Sequence, residues 1–401
     1  MKKDLSPSQN IIQNVCAVQK NERVLIIANP ATTDIAQDLY TAANEVGAHV
    51  SMIFQNEKSS FDNAEEEVVA AIASNPDVCF SISSIKLGKD SKGTAEPYKT
   101  LDGQTYSHIF DYLLDGKKTM RAVWTPGITR DMFNRTVNID YKELAERCER
   151  LGQCFKNVVS VHVTSPAGTD VTVPVFGRPL QYDNGDFSKP GTGGNIPAGE
   201  VFISPVVGNG NKLKLLSKIE SFKNSIFKRG SVEKEEYTEE EAKHRLGTEG
   251  VIVFDGSMTF SDGDSILQSP ITCKVERGFV TDITGGAEAL RLLKTITEAE
   301  NRSLLLEAEG KLPEGQGLVY RRNARNIGEL GIGLNPACHV MGNMLEDEKA
   351  FNTCHFAIGE NYDNDAPSLI HLDGVVRNPT ITLTYEDGST RIILDEGTLV
   401  V

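Results

Sequence analysis

Residues 23–84 alternate between short apolar runs and helix-forming stretches, and this pattern limits the fold more than any other feature of the chain. The apolar runs are RVLIIAN, HVSMIF and DVCFSISS, and the stretches between them, TTDIAQDLYTAANEVGA and AEEEVVAAIASNP, have helical apolar spacing. Strand–helix–strand units of this length indicate parallel pairing with right-handed crossovers. No G-x-G-x-x-G follows the first run, so a dinucleotide site is not supported. The sequence predicts an N-terminal parallel α/β sheet.

The pattern changes after the amphipathic stretch YKELAERCERLGQCF, which ends at Phe155. The segments NVVSVHVTSPAGTDVTVPVFG and ITLTYEDGSTRIILDEGTLVV alternate in the way of antiparallel hairpins. A chain of 401 residues also exceeds one ordinary core. We therefore predict two α/β domains. Residues 1–155 form the N-terminal parallel sheet domain, and residues 156–401 form a mixed, strand-rich C-terminal domain with a charged surface insertion at 208–248.

Charge and cysteine usage narrow the class of protein. The net charge of −15 opposes binding to nucleic acid or to anionic membranes, so we expect neither as a partner. The apolar runs fall short of the roughly 20 residues that span a bilayer, and the first residues contain no apolar signal-peptide core. The seven cysteines are scattered and include no C-x-x-C pair, which is typical of reduced thiols. We expect a cytoplasmic protein.

Acids and imidazoles occur in four stretches that are otherwise rich in glycine and apolar residues. The stretches are NIPAGEVFISP with Glu200, ARNIGELGIGLNP with Glu329, MLEDEKAFNTCHFAIGENY with Glu348, His355 and Tyr362, and HLD with His371 and Asp373. A carboxylate buried there needs a cation or a hydrogen-bond donor. The basic residues near these stretches are few: Arg322, Arg325 and Lys349.

Charge counting then favours metal ions. Four carboxylates with two neutral imidazoles carry four negative charges, which two divalent ions balance. Mixed Asp, Glu and His ligands suit zinc, cobalt or manganese. The alternative for each residue is that it is a loop acid or a core histidine that lies close to the others only in sequence.

The order of these residues resembles that of the aminopeptidase T and aminopeptidase S family of thermophilic-type metallo-aminopeptidases. The resemblance covers most of the chain and includes TPGITRDMFNR, GTDVTV, NIPAGEVFISP, ELGIGLNP and HLDGVV. It implies a homodimer with a dinuclear metal site that acts on peptides with a free N-terminus. It also implies the metal ligands, which are Glu200, Glu329, Glu348, His355, His371 and Asp373.

The resemblance further implies a mechanism in which a metal-activated water attacks the scissile carbonyl. Glu329 fits the carboxylate that touches both metals, and the general base is either Glu329 or Glu200. Tyr362 fits the tyrosine of the site, where its hydroxyl would stabilise the oxyanion. The segment DNDAPSLI lacks the glycine-rich element of many members, and the charged insertion lengthens the gap between Glu200 and Glu329. Peptide specificity is therefore the part of the resemblance that transfers least securely.

A second function uses a subset of the same residues. Some relatives of this fold resemble iron-dependent dioxygenases that cleave the ring of dihydroxypyridines, with a His, His, Asp triad on one iron. His355, His371 and Asp373 match that triad. A mononuclear site does not need the three glutamates, and this surplus of acids favours the hydrolase. A third alternative is a metal-binding protein without catalytic activity.

Overall fold

The structure is a computed structural model that describes residues 5–59, 62–208 and 247–401. The predicted insertion at 208–248 therefore lies, except at its ends, outside the described residues. The α-helices of the described residues are α1 Pro7–Asn10, α2 Thr33–Glu45, α3 Glu66–Ala73, α4 Ser91–Ala95, α5 Ile109–Asp111, α6 Arg130–Thr136, α7 Tyr141–Cys154, α8 Ala287–Ala308, α9 Gln316–Asn323 and α10 Met344–Asp347. Their strands are β1 Arg23–Ala28, β2 His49–Phe54, β3 Val78–Ile82, β4 Tyr98–Lys99, β5 Thr105–Tyr106, β6 Arg121–Trp124, β7 Val158–Thr164, β8 Asp170–Pro174, β9 Leu180–Asp183, β10 Gly193–Asn195, β11 Glu200–Ile203, β12 Glu249–Phe254, β13 Ser257–Phe260, β14 Gly263–Ile266, β15 Ile271–Glu276, β16 Phe279–Gly285, β17 Ile327–Gly333, β18 Thr353–Gly359, β19 His371–Arg377, β20 Thr380–Tyr385, β21 Thr390–Asp395 and β22 Thr398–Leu399.

The N-terminal sheet has five strands in the order β10-β6-β3-β1-β2, and all neighbours are parallel. The three predicted strands and the two predicted helices between them are confirmed. Val24 and Ile26 of β1 pack in the same core as α2, whereas Leu25 and Ile27 pack on the other side in the core that contains α3. Because both faces are covered, the strand is continuously apolar.

Strand β10 joins this sheet from a distant part of the chain. Gly193–Asn195 pairs with β6 at one edge, and Asn195 Nδ2 donates to the Trp124 carbonyl oxygen at 3.1 Å. The strand follows the predicted domain boundary near residue 155 and returns to the first sheet. That boundary stays a prediction, but β10 connects the parallel sheet directly to residues of the second half.

The second half is rich in antiparallel strands. One sheet has seven strands in the order β14-β13-β19-β18-β17-β11-β9, and another has eight in the order β16-β15-β12-β8-β7-β20-β21-β22. The two predicted hairpins are confirmed as β7 with β8 and β20 with β21. The α/β fold class is therefore confirmed, as a parallel sheet followed by a strand-rich region. Among the described helices, none is both long enough and apolar enough to cross a membrane.

Candidate metal centre

Four adjacent strands of the seven-stranded sheet carry most of the predicted ligands. In its register, Glu329 of β17 pairs with Ala357 of β18, which pairs with Asp373 of β19, and His355 of β18 pairs with Gly331 of β17. Directly paired residues point to the same face of a sheet, and so do residues two apart on one strand. Glu329, His355 and Asp373 therefore project from one face.

The other predicted ligands lie at the margins of the same face. Glu200 is the first residue of β11 and pairs with Gly333, while His371 is the first residue of β19 and pairs with Gly359. Glu348 follows the last residue of α10. The structure thus brings together all six residues that the sequence nominated, although their role as ligands stays a prediction.

Glu329 lies between the two imidazoles. Its Oε1 is 3.2 Å from His355 Nε2, and its Oε2 is 3.1 Å from His371 Nε2. His371 Nε2 is also 3.3 Å from Asp373 Oδ1, and His355 Nε2 is 3.4 Å from Glu200 Oε2. Each imidazole therefore directs one nitrogen at two carboxylates.

A backbone contact determines which nitrogen His371 offers. His371 Nδ1 lies 2.9 Å from the carbonyl oxygen of Glu360. A carbonyl only accepts hydrogen bonds, so Nδ1 carries a proton and the neutral ring keeps its lone pair on Nε2. Metal-binding histidines are commonly oriented by such a partner of the other ring nitrogen. His371 is therefore held in a form that can ligate an ion with the nitrogen that faces Glu329 and Asp373.

The ammonium group of Lys349 enters the same cluster, which the charge count made from the sequence did not foresee. Lys349 is fully buried, its Nζ lies 3.0 Å from Glu200 Oε1, and it contacts Glu348. The Nζ is also 3.3 Å from the amide oxygen of Asn195 and 3.9 Å from Asp183 Oδ2. Lys349 therefore neutralises part of the negative charge that was assigned to metal ions alone.

The pKa values reflect an excess of buried negative charge. Burial alone would raise the pKa of Glu329, but hydrogen bonds from His355 and His371 lower it to about 2. Burial lowers the pKa of His355, yet Glu329 and the other carboxylates raise it to about 9. Burial, opposed by Lys349, raises the pKa of both Glu348 and Asp183 to about 8. Burial is the main cause of these raised pKa values, and the neighbouring carboxylate of Glu200 adds to it.

Buried oxygen atoms that form no hydrogen bond indicate that the cluster fits a metal ion. Among the described residues, Glu200 Oε2 and Asp373 Oδ1 accept no hydrogen bond, and their contacts are the long ion pairs with the two imidazoles. Two overlapping groups have ligand atoms within 4.8 Å of one another: Glu200, Glu348 and His355 form one, and Glu329, His355 and Asp373 form the other. Carboxylate and imidazole donors suit zinc, manganese or iron. The residues present therefore fit a divalent ion.

Tyr362 borders the cluster and is partly exposed to solvent. Its ring centroid is 5.2 Å from that of His371 and 5.0 Å from that of Phe202, and its side chain remains 51% exposed. A ring that borders the site and also contacts solvent is placed to meet a ligand that enters. The catalytic role of Tyr362 stays a prediction.

Sequence reasoning missed the contributions of Lys349, Asp183 and Asn195. Lys349 follows Glu348 directly and was counted only as a nearby base. Asp183 ends β9 and Asn195 ends β10, and the sequence contains no local signal that links either residue to Lys349. Their proximity results from the pairing of β9 with β11 and of β10 with β6.

Comparison with known proteins gives a likeness in fold. No family model and no curated protein matches the sequence. A solved structure of 2,5-dihydroxypyridine dioxygenase from Pseudomonas putida KT2440 has a TM-score of 0.64 at 16% identity, over 99% of this chain and 98% of the other. Wild-type AmpT, an aminopeptidase T from Thermus thermophilus, has a TM-score of 0.61 at 16% identity, over 98% of both chains. The chain has the fold of both enzymes. At this identity the likeness does not choose between a hydrolase and a dioxygenase.

Proposed function

We propose that this protein is a metal-dependent aminopeptidase that releases N-terminal residues from peptides. The observation that carries the proposal is the surplus of buried carboxylates around the two imidazoles. Glu329 lies between His355 and His371, and Glu200 approaches His355 from the other side. Such a carboxylate-rich centre suits a Lewis-acidic ion with a nearby base, whereas a triad on iron leaves positions open for oxygen and substrate.

The roles of the side chains follow from which of their atoms are engaged. A divalent ion held by Glu329, His355, His371 and Asp373 would polarise the scissile carbonyl and acidify water. Both oxygens of Glu329 contact imidazoles, so this residue is assigned as a ligand. Lys349 engages Oε1 of Glu200 and leaves Oε2 on the side of the imidazoles, which supports Glu200 as the general base. Tyr362 borders the centre through its contact with His371, and its hydroxyl would stabilise the oxyanion.

The substrate and the ion belong to the same proposal. Acidic side chains near the centre would favour the α-ammonium group of a peptide over a blocked N-terminus. We expect zinc, cobalt or manganese as the ion. A homodimer and a cytoplasmic location remain expectations from the sequence, and sedimentation velocity at micromolar concentration tests the first.

A ring-cleaving dioxygenase is the second candidate. His355, His371 and Asp373 supply two imidazoles and one carboxylate from neighbouring strands, and Glu329 and His355 lie in one ligand group with Asp373. Lys349 also engages Glu200 and Glu348, which reduces the number of acids available to an ion. This candidate requires iron and consumes oxygen in the presence of a dihydroxypyridine.

The test combines elemental analysis of the purified protein with two assays: hydrolysis of a panel of aminoacyl chromophores, and oxygen uptake with 2,5-dihydroxypyridine. We expect zinc, cobalt or manganese, hydrolysis of substrates with a free amino group, and no hydrolysis of their N-acetylated counterparts. Iron with oxygen uptake and no hydrolysis would overturn the aminopeptidase and support the dioxygenase.

Two variants separate the ligand from the base. Glu329→Gln should lower metal affinity by at least about 10-fold, since even an outer-shell partner contributes that much. Glu200→Gln should lower kcat by about 100-fold or more while most of the metal is retained, because it removes the general base. Metal content and kinetics are measured on the same preparations. Equal metal loss in both variants would contradict the assignment of the base.

A further inference from the structure

The ammonium group of Lys349 has the surroundings of a bound cation. Three carboxylates and one amide oxygen face it, from Asp183, Glu200, Glu348 and Asn195. The side chain is fully buried. A buried ammonium group is stable only when oxygen ligands replace its hydration shell, and here side chains from β9, β10 and β11 and the residue after α10 supply them.

This position overlaps one of the two candidate metal groups. Glu200 and Glu348, which contact Lys349, are two members of the group that His355 completes. The other group contains Glu329, His355 and Asp373, and its ion pairs in the described residues are with His355 and His371 rather than with Lys349. A divalent ion and an ammonium group repel each other and compete for the same carboxylate oxygens.

Lys349 also determines which oxygen of Glu200 remains available. Glu200 Oε1 is 3.0 Å from Lys349 Nζ, whereas Oε2 points to His355 Nε2 at 3.4 Å. The ammonium group therefore holds the carboxylate with one oxygen directed at the remaining metal group. A lysine in this place is a positioning residue for Glu200.

We propose that Lys349 takes the place of a second metal ion, so that this protein binds one divalent ion tightly, at Glu329, His355, His371 and Asp373. The inference rests on the metal centre of the proposed function but not on peptidase activity. It departs from the two ions that the sequence predicts. The second cation of the centre is then the ammonium group of Lys349 and not a bound metal ion.

The experiment counts ions. Full-length protein is stripped with a chelator and titrated with Zn²⁺ alone, by calorimetry and by elemental analysis after desalting. We expect one tight equivalent in the wild type. Lys349→Met should gain a second equivalent that binds at least about 10-fold more tightly than any second equivalent of the wild type, because the competing charge is removed. Lys349→Arg, which keeps the charge, should remain at one.

Lys274→Met is the matched control, because Lys274 pairs with Glu276 at 2.6 Å on the exposed surface. This variant should bind one tight equivalent of Zn²⁺, like the wild type. Two tightly bound Zn²⁺ ions per wild-type protein would overturn the inference, and this result does not depend on whether a variant folds. A folded Lys349→Met protein with one equivalent would overturn it as well. If neither the wild type nor any variant binds Zn²⁺ tightly, both this inference and the proposed metal centre are overturned. If one ion binds tightly and no peptide is cleaved, the proposed peptidase activity is overturned and this inference stands.

Discussion

Glycine residues, which have no Cβ atom, determine the shape of the metal centre as much as its acids do. Gly331 pairs with His355 across β17 and β18, and a Cβ atom at position 331 would overlap with Cε1 and Nε2 of the imidazole. The ring of His355 therefore lies over the glycine, and this allows Nε2 to reach Glu329. Gly331 in the GELGIG segment thus leaves the space that the imidazole of His355 occupies.

Gly331→Ala should therefore displace the imidazole of His355. We expect metal affinity to fall by about 10- to 100-fold, because a ligand that is moved by an ångström loses its geometry. Competition against a chromophoric chelator measures the affinity. Wild-type affinity in a folded Gly331→Ala protein would contradict this arrangement.

Gly374→Ala provides the control on the opposite face of the same sheet. A Cβ atom there would overlap with the ring of Phe254 and crowd Met258, which lie in the core rather than in the centre. Overpacking of this kind costs about 1–3 kcal/mol of stability. The melting temperature should fall, and the folded protein should bind metal as the wild type does.

At the scale of elements, the three acids of the EDEK motif have separate tasks. Glu346 Oε1 accepts a hydrogen bond from the backbone nitrogen of His339 at 2.8 Å, and Asp347 accepts bonds from the backbone nitrogens of Met341 and Gly342. Of these three side chains, only that of Glu348 contacts the ammonium group of Lys349. Successive residues of a helix point about 100° apart, so two acids hold the preceding loop while the third faces the centre.

Helix α6 of the N-terminal half anchors this motif through Arg135. Its Nη2 donates to Glu346 Oε2 at 2.8 Å, and Glu346 is almost fully buried. Arg135→Met should leave that carboxylate without its partner and lower the free energy of unfolding by about 2–3 kcal/mol. This is below the 3–5 kcal/mol of a fully buried pair, because Arg135 is partly exposed. Urea denaturation measures the loss, and metal affinity should also fall.

Arg130→Met on the same helix is the matched control. Arg130 pairs with Asp34 and Asp38, and all three side chains are exposed to solvent by a third or more. Exposed pairs of this kind contribute about 0–1 kcal/mol. A loss as large as that of Arg135→Met would show that helix α6 rather than the buried pair carries the effect.

At the scale of the whole molecule, ligands from the three neighbouring strands β17, β18 and β19 connect metal binding to global stability. Removing the ion leaves several carboxylates buried with Lys349 as their only lysine among the described residues. We expect a chelator to lower the melting temperature and added Zn²⁺ to restore it. An ion at about 1,000 times its dissociation constant stabilises a protein by about 4 kcal/mol. Differential scanning calorimetry with and without the chelator checks this, and an unchanged melting temperature would contradict a resident ion.

Local patterns in the sequence were sufficient for the elements of the fold. The runs that became β1 and β3 are mostly apolar because both faces of the parallel sheet are covered there, whereas β2 is an edge strand in which His49 and Ser51 are exposed. The hairpins β7–β8 and β20–β21 follow from alternation around a turn. Glu329, His355, His371 and Asp373 were also recognisable, because they lie in stretches that are otherwise rich in glycine and apolar residues, and the His-x-Asp spacing places two of them on one face of a strand.

The sequence by itself thus determined the first three strands, the two hairpins and which residues to nominate as ligands. Only the tertiary structure decided which of these residues contact one another, and it added Lys349, Asp183 and Asn195 to the cluster. Lys349 and Asn195 are 154 positions apart, and strand pairing brings them to 3.3 Å. The net charge of a buried cluster is a sum over all side chains that reach it. No local pattern in the sequence determines this net charge, so the number of bound ions depends on tertiary contacts.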